Sequence, residues 1–132
     1  MHVALWLLLI TMLPGLAQAQ ERCSVEVIDA DTVHTCDRRI RLRTCNAPER
    51  FMPGGAAAAS RLQALIDQAD WLELVCHRDL ECRDIFNRSL CDLVIEGEDA
   101  CQTLIAEGYA KPQRGMRACA RVQPTNRRPF FR

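Results

Sequence analysis

Polar and apolar residues alternate through Ser24-Val-Glu-Val27, the mark of a strand with one buried face. Asp29-Ala-Asp-Thr32 is turn-forming and reverses the chain into Val33 to Cys36. Asp37-Arg-Arg39 makes a second turn. Ile40 to Thr44 alternates again, with Ile40 and Leu42 on one side and Arg41 and Arg43 together on the other. Three short strands in succession predict a meander. Its first hairpin sets Cys23 roughly opposite Cys36, the one disulfide pair the pattern suggests.

Pro53-Gly54-Gly55 then breaks the chain, and Ala58, Leu62, Leu65, Ile66 and Ala69 follow at helical spacing. Trp71 to Cys76 returns to strand, with Leu72, Leu74 and Cys76 on one face, and Leu90 to Ile95 forms a fifth. Asp99 followed by Gln102 reads as a capping box. Gly108 suits a helix end, which sets a second helix near Ala100 to Glu107. A third short helix around Met116 to Val122 fits the pattern, and the last residues, with Pro124 and Pro129, read as loose. The order β-β-β-α-β-β-α is not a βαβ series. It predicts a mainly β, α+β domain: a five-stranded barrel of the OB type with two or three flanking helices.

Ahead of that domain, Val3 to Leu13 is an apolar run of signal-peptide length, broken by Pro14 and Gly15. Ala17-Gln18-Ala19 supplies a small-x-small cleavage site. The run is too short to span a bilayer comfortably. An uncleaved anchor is the alternative, because no Lys or Arg precedes the run. The expected organisation is a signal peptide over 1–19, a domain over 20–111 and an Arg-rich tail over 112–132. The mature chain is then secreted or periplasmic, monomeric and without stable membrane association.

Eight cysteines, all after residue 19, change the stability argument. One small domain buries only about 60–70% of its unfolded surface, and this one has few aromatics. Four disulfides are expected in an oxidising compartment, with connectivity open. Cys76-His77 and Cys82 lie near one another, but without the paired C-x-x-C spacing that structural zinc uses. His34 and His77 read as ordinary surface or half-buried histidines. The formal net charge is zero, from 17 basic and 17 acidic residues. Seven of the basic residues, Lys111 among them, fall in 111–132 with no acid. An acidic body with a basic tail suits a polyanion near the tail or self-association, against the alternative of a solvated chain end.

Four blocks carry candidate chemistry, in this order: Val27-Ile-Asp-Ala-Asp-Thr-Val33, Ile40-Arg-Leu-Arg-Thr-Cys-Asn-Ala-Pro-Glu49, Asp84-Ile-Phe-Asn-Arg88 and Leu104-Ile-Ala-Glu-Gly-Tyr-Ala-Lys111. Together they resemble the staphylococcal nuclease (thermonuclease) family of OB-fold phosphodiesterases, from about Cys23 to Lys111. The resemblance implies hydrolysis of phosphodiester bonds in DNA, RNA or both, assisted by calcium. It makes Glu49 the general base, and Arg41 and Arg88 the donors that stabilise the transition state. Asp31, Asn46 and the backbone carbonyl of Ala47 become the calcium ligands, with Asp29 supporting their turn. Asn46 stands where the family carries a second carboxylate, and Phe86-Asn87 where it carries Tyr-Gly.

The chemistry is coherent. A carboxylate can orient and deprotonate the attacking water. Guanidiniums donate fixed hydrogen bonds to the charge that gathers on phosphate oxygens, and a hard cation adds neutralisation. The bland alternatives are turn-forming aspartates at 29 and 31, a solvated Arg43, and an Arg88 that only pairs with Asp84 or Asp92. At the level of function the rivals are a non-catalytic module that binds nucleic acid or another polyanion, and a secreted structural protein held by its cysteines.

Overall fold

The computed structural model describes residues 23–36, 38–76 and 83–113, and the backbone of 126–131. Three strands open it: Val25–Asp29 (β1), Thr32–Thr35 (β2) and Arg38–Leu42 (β3). They form the expected antiparallel meander, with Val27 opposite Val33 and Val33 opposite Ile40. The register of β1 shifts between Val27 and Asp29. Such a bulge bends the strand end and re-aims its side chains. The hairpin is closed by the Cys23–Cys36 disulfide, as the alternation suggests.

After β3 come Cys45–Asn46 (β4), Gly55–Gln68 (α1), Trp71–Cys76 (β5) and Ser89–Ile95 (β6). Then follow Glu98–Asp99 (β7), Ala100–Ala106 (α2), Lys111–Pro112 (β8) and Asn126–Phe131 (β9). β6 lies parallel to β3, with Arg41 opposite Leu90, and antiparallel to β5. The main sheet runs β1-β2-β3-β6-β5-β9, with β7 joined to β6, and β4 pairs separately with β8. Among the described residues no pairing joins β5 back to β1. The sheet is a curled half-barrel in an α+β fold, with two helices among the described residues.

The core fills the concave side. Val27, Val33, Ile40, Leu42, Leu74 and Leu93 meet Ala58, Leu62 and Ile66 of α1 and Leu104 of α2. On α1 these residues recur at helical spacing, and Leu65 sits at the margin. Two more disulfides staple this small core. Cys76–Cys91 joins opposed positions of β5 and β6, and Cys45–Cys101 ties β4 to α2. Arg61 of α1 and Glu107 after α2 make a two-pronged salt bridge at 2.6 and 2.7 Å. Cys82, Cys119, the leader expected over 1–19 and the helix expected around 116–122 lie outside the described residues.

One expectation is corrected. The end of the chain is not loose, because Asn126–Phe131 pairs antiparallel with β5, Trp71 opposite Phe131 and Cys76 opposite Asn126. Pro129 lacks an N–H, which argues against a central strand but not against an outer one. β9 is the outermost strand on that side of the sheet.

Candidate active site at the Asp31–Thr32 turn

The turn between β1 and β2 gathers three of the blocks. Asp31, 6% exposed, points its carboxylate across to the segment after β4. Its Oδ2 accepts the backbone N–H of Ala47 at 2.7 Å and is ion-paired with Nη2 of Arg41 at 3.2 Å. Oδ1 accepts the hydroxyl of Thr32 at 3.0 Å. One acid therefore fixes Ala47 and Arg41 together, from opposite ends of the second block.

Arg41 is itself buried, also 6% exposed. Besides Asp31 it donates from Nη1 to the carbonyls of Leu42 at 2.7 Å and Cys45 at 2.8 Å, and from Nη2 to Oδ1 of Asn46 at 3.0 Å. The side chain thus folds the β3–β4 corner around itself. Burial pushes its guanidinium below the ordinary arginine value. The Asp31 charge pulls the other way, the Arg88 charge adds to the lowering, and Asp84 and Asp29 oppose it. Those mutual effects place Arg41, Arg88 and three carboxylates in one electrostatic neighbourhood.

Arg88 arrives from the segment before β6. The loop Asp84 to Arg88 is held by its own acid. Oδ1 of Asp84 accepts the N–H groups of Phe86 at 3.0 Å and Arg88 at 2.9 Å, while Oδ2 accepts Nε of Arg88 at 2.5 Å. Asn87 closes the loop at φ 60°, a left-handed conformation that asparagine tolerates better than most residues. Nη1 of Arg88 reaches the Thr32 hydroxyl at 3.1 Å, and its guanidinium lies 5.2 Å from the Phe86 ring centre. Nη2 makes no hydrogen bond to the described residues. The two arginines therefore converge on neighbouring residues, Asp31 and Thr32.

Glu49 lies on the connection into α1. Oδ1 of Asp29 accepts the backbone N–H of Arg50 at 2.7 Å, and the Arg50 side chain bonds the carbonyls of Ile28 at 3.0 Å and Val27 at 2.8 Å. The Glu49 carbonyl accepts the N–H of Met52 at 2.8 Å and presses on Gly55. A Cβ at Gly55 would stand 1.8 Å from that oxygen, so only glycine fits the approach. The Glu49 carboxylate is exposed, with no hydrogen bond to the described residues.

Asp29, Asp31, Arg41, Asn46, Ala47 and Arg88 thus form one bonded or electrostatically coupled group, and Glu49 sits on a loop tied to Asp29. Thr32 and Arg50 emerge only from the structure, whereas the pairing of Arg88 with Asp84, one of the sequence's bland alternatives, is present. Arg43 is half-buried and forked onto Asp92, rather than solvated. Exposed Phe51 and Met52 lie beside Glu49, and exposed Ile85 and Phe86 lie on the Arg88 loop.

The oxygens available to a hard cation are Oδ1 of Asp31, Oδ1 of Asn46 and the Ala47 carbonyl. Each side-chain oxygen takes one donor and keeps a lone pair. Only one of these ligands is charged, so a calcium ion held there would be held weakly. Among the described residues no cluster of three His, Cys, Asp or Glu side chains gathers around such a point.

Neither the protein-family models nor the curated proteins contain a match to this chain.

Proposed function

We propose that this chain is an exported nuclease, similar to the thermonucleases, that hydrolyses phosphodiester bonds of DNA, RNA or both. The observation that carries the reading is the convergence of Arg41 and Arg88 on Asp31 and Thr32. The β1-β2-β3-β6-β5 path also has the strand order of an OB barrel without its closing pair. The three disulfides among the described residues suit an oxidising compartment.

In this reading Glu49 takes a proton from water as the water oxygen bonds to phosphorus and the ester P–O bond breaks, the leaving oxygen taking its proton from solvent water. Nη2 of Arg88 is free to meet the phosphoryl oxygens, while Nη1 and Nε stay on Thr32 and Asp84. Arg41 offers Nη2 by exchanging its bond to Asn46 for one to phosphate. Calcium held by Asp31, Asn46 and the Ala47 carbonyl would neutralise charge on the phosphate. That neutralisation matters, because Asp29, Asp31, Asp84 and Glu49 outnumber the two arginines. Exposed Phe51 and Phe86 offer rings on which bases can stack.

The test is hydrolysis of single- and double-stranded DNA and RNA by the oxidised protein, in calcium and in chelator. Glu49→Gln and Arg88→Ala should each lower the rate by about 100-fold or more while the fold stays intact. Unaltered rates in either variant would remove the assigned role. A non-catalytic polyanion-binding module is the second reading, favoured by how fully Arg41 is engaged by its own chain. It predicts binding without cleavage in either condition.

A further inference from the structure

Beside Arg41, and lined at one end by Asn46 and Ala47 of the candidate site, lies a groove of about 540 Å3. This volume falls within the range of small-ligand sites, about 300–1,000 Å3. One wall is the Ala47–Gly54 connection with the first turn of α1. The other is the stretch Gly108 to Lys111 that leaves α2. Pairing of β4 with β8 sets Lys111 directly opposite Asn46, so the groove and the candidate site share Asn46 and Ala47.

Its chemistry is unlike that of the surrounding body. No carboxylate lines it, and Lys111 supplies the one formal charge. Tyr109 supplies the one aromatic ring, with Pro48, Pro53 and Ala57 as further apolar surface. Residues 20–110 carry seventeen acids against ten basic residues, so an acid-free recess ending in an exposed lysine is a local reversal. A cation at the rim, a ring and small apolar surfaces are what a phosphate, a base and a sugar respectively require.

We infer that this groove is a nucleotide subsite. It takes one unpaired nucleotide next to the scissile phosphate, its base against Tyr109 and its outer phosphate on Lys111. The inference rests on the nuclease reading, because the strand enters the groove from the arginine pair across Asn46 and Ala47. A recess of this size has room for one nucleotide turned out of a duplex, so the groove would favour single strands.

The experiment measures fluorescence anisotropy of labelled oligothymidylates on oxidised full-length protein. Glu49→Gln serves as the parent so that the strand survives. A dinucleotide and a hexanucleotide are compared in calcium at one fixed salt concentration. The parent should bind the hexanucleotide about tenfold tighter, the scale of one added stacking and phosphate contact. Adding Lys111→Glu should collapse that ratio to about two or less. Lys111 is exposed, so the variant should fold. Arg39→Glu, an equal change of charge on exposed β3, should keep the ratio.

An intact ratio in Lys111→Glu, an equal loss in Arg39→Glu, or no length dependence in the parent overturns the groove. Cleavage by the unsubstituted protein alongside any of these leaves the nuclease reading standing and removes the groove alone. Absence of both cleavage and binding removes the two together. Length-dependent binding that requires Lys111, without cleavage, keeps the groove and replaces the nuclease by a binding module.

Discussion

At the scale of the residue, the site depends on one guanidinium with more than one duty. Arg41 closes the β3–β4 corner through two carbonyls and also spans Asp31 and Asn46. Asp31, Arg41 and Arg88 were legible in the sequence because their blocks occur in order at compatible spacing. Their supports were not. Thr32 is an ordinary strand residue, and nothing local says that its hydroxyl meets Arg88 from 56 positions away. Asn46 offers the sharpest test at this scale. Calcium affinity responds strongly to the number of charged oxygens, so Asn46→Asp should tighten calcium binding at least tenfold by calorimetry. The new carboxylate will also strengthen the hold on Nη2 of Arg41. We therefore expect the gain in affinity to exceed the gain in rate at limiting calcium. No calcium binding by either protein, with cleavage retained, would discard Asp31 and Asn46 as ligands.

At the scale of the element, the meander and α1 were legible because alternation and helical spacing are local signals. The connection into α1 is set by contact instead. Gly54 takes φ 82°, and the next residue, Gly55, lets the Glu49 carbonyl approach. In Gly55→Ala the clash is with backbone, which no rotamer relieves. The variant should lose thermal stability and displace the loop carrying Glu49, so Tm and hydrolysis should fall together. An unshifted Tm would show that the loop yields freely. The start of α2 makes the opposite prediction. Asp99 caps it by accepting the N–H of Cys101 at 2.8 Å, yet burial holds its carboxyl above the usual range. A folded-state pKa above the unfolded value means that ionised Asp99 costs stability, a cost relieved as pH falls through the folded value. Asn is as good an N-cap and carries no charge. Asp99→Asn should therefore match or exceed the parent Tm at neutral pH, and its advantage should fade on acidification. Asp99→Ala should lose about 1 kcal/mol. A clear loss in Asp99→Asn at neutral pH would show that the carboxylate's charge is itself needed.

At the scale of the whole molecule, the cysteines join what the sheet leaves apart. The alternation made Cys23–Cys36 legible, since both lie in one hairpin. Nothing comparable announced Cys45–Cys101, whose partners come together only once α2 packs against β4. Nor did it announce β9, whose pairing with β5 spans some fifty residues. Of the three disulfides among the described residues, Cys45–Cys101 closes the longest loop, 56 residues against 13 and 15. In the chain-entropy account that difference is worth about 4 against about 3 kcal/mol. It also has a local task. Cys45 gives its carbonyl to Arg41, its neighbours Asn46 and Ala47 line the site, and β4 is only two residues long. Replacing Cys45 and Cys101 together by Ala should thus cost more stability than replacing Cys76 and Cys91, measured by thermal denaturation. It should also lower hydrolysis at temperatures where both proteins are folded by circular dichroism, because β4 loses its anchor to α2. The Cys76/Cys91 variant should keep most of its rate, since β5 and β6 remain paired through five residues each. Equal rates in the two folded variants would show that β8 alone holds β4 in place, and that the buried disulfide stabilises the fold without positioning the site.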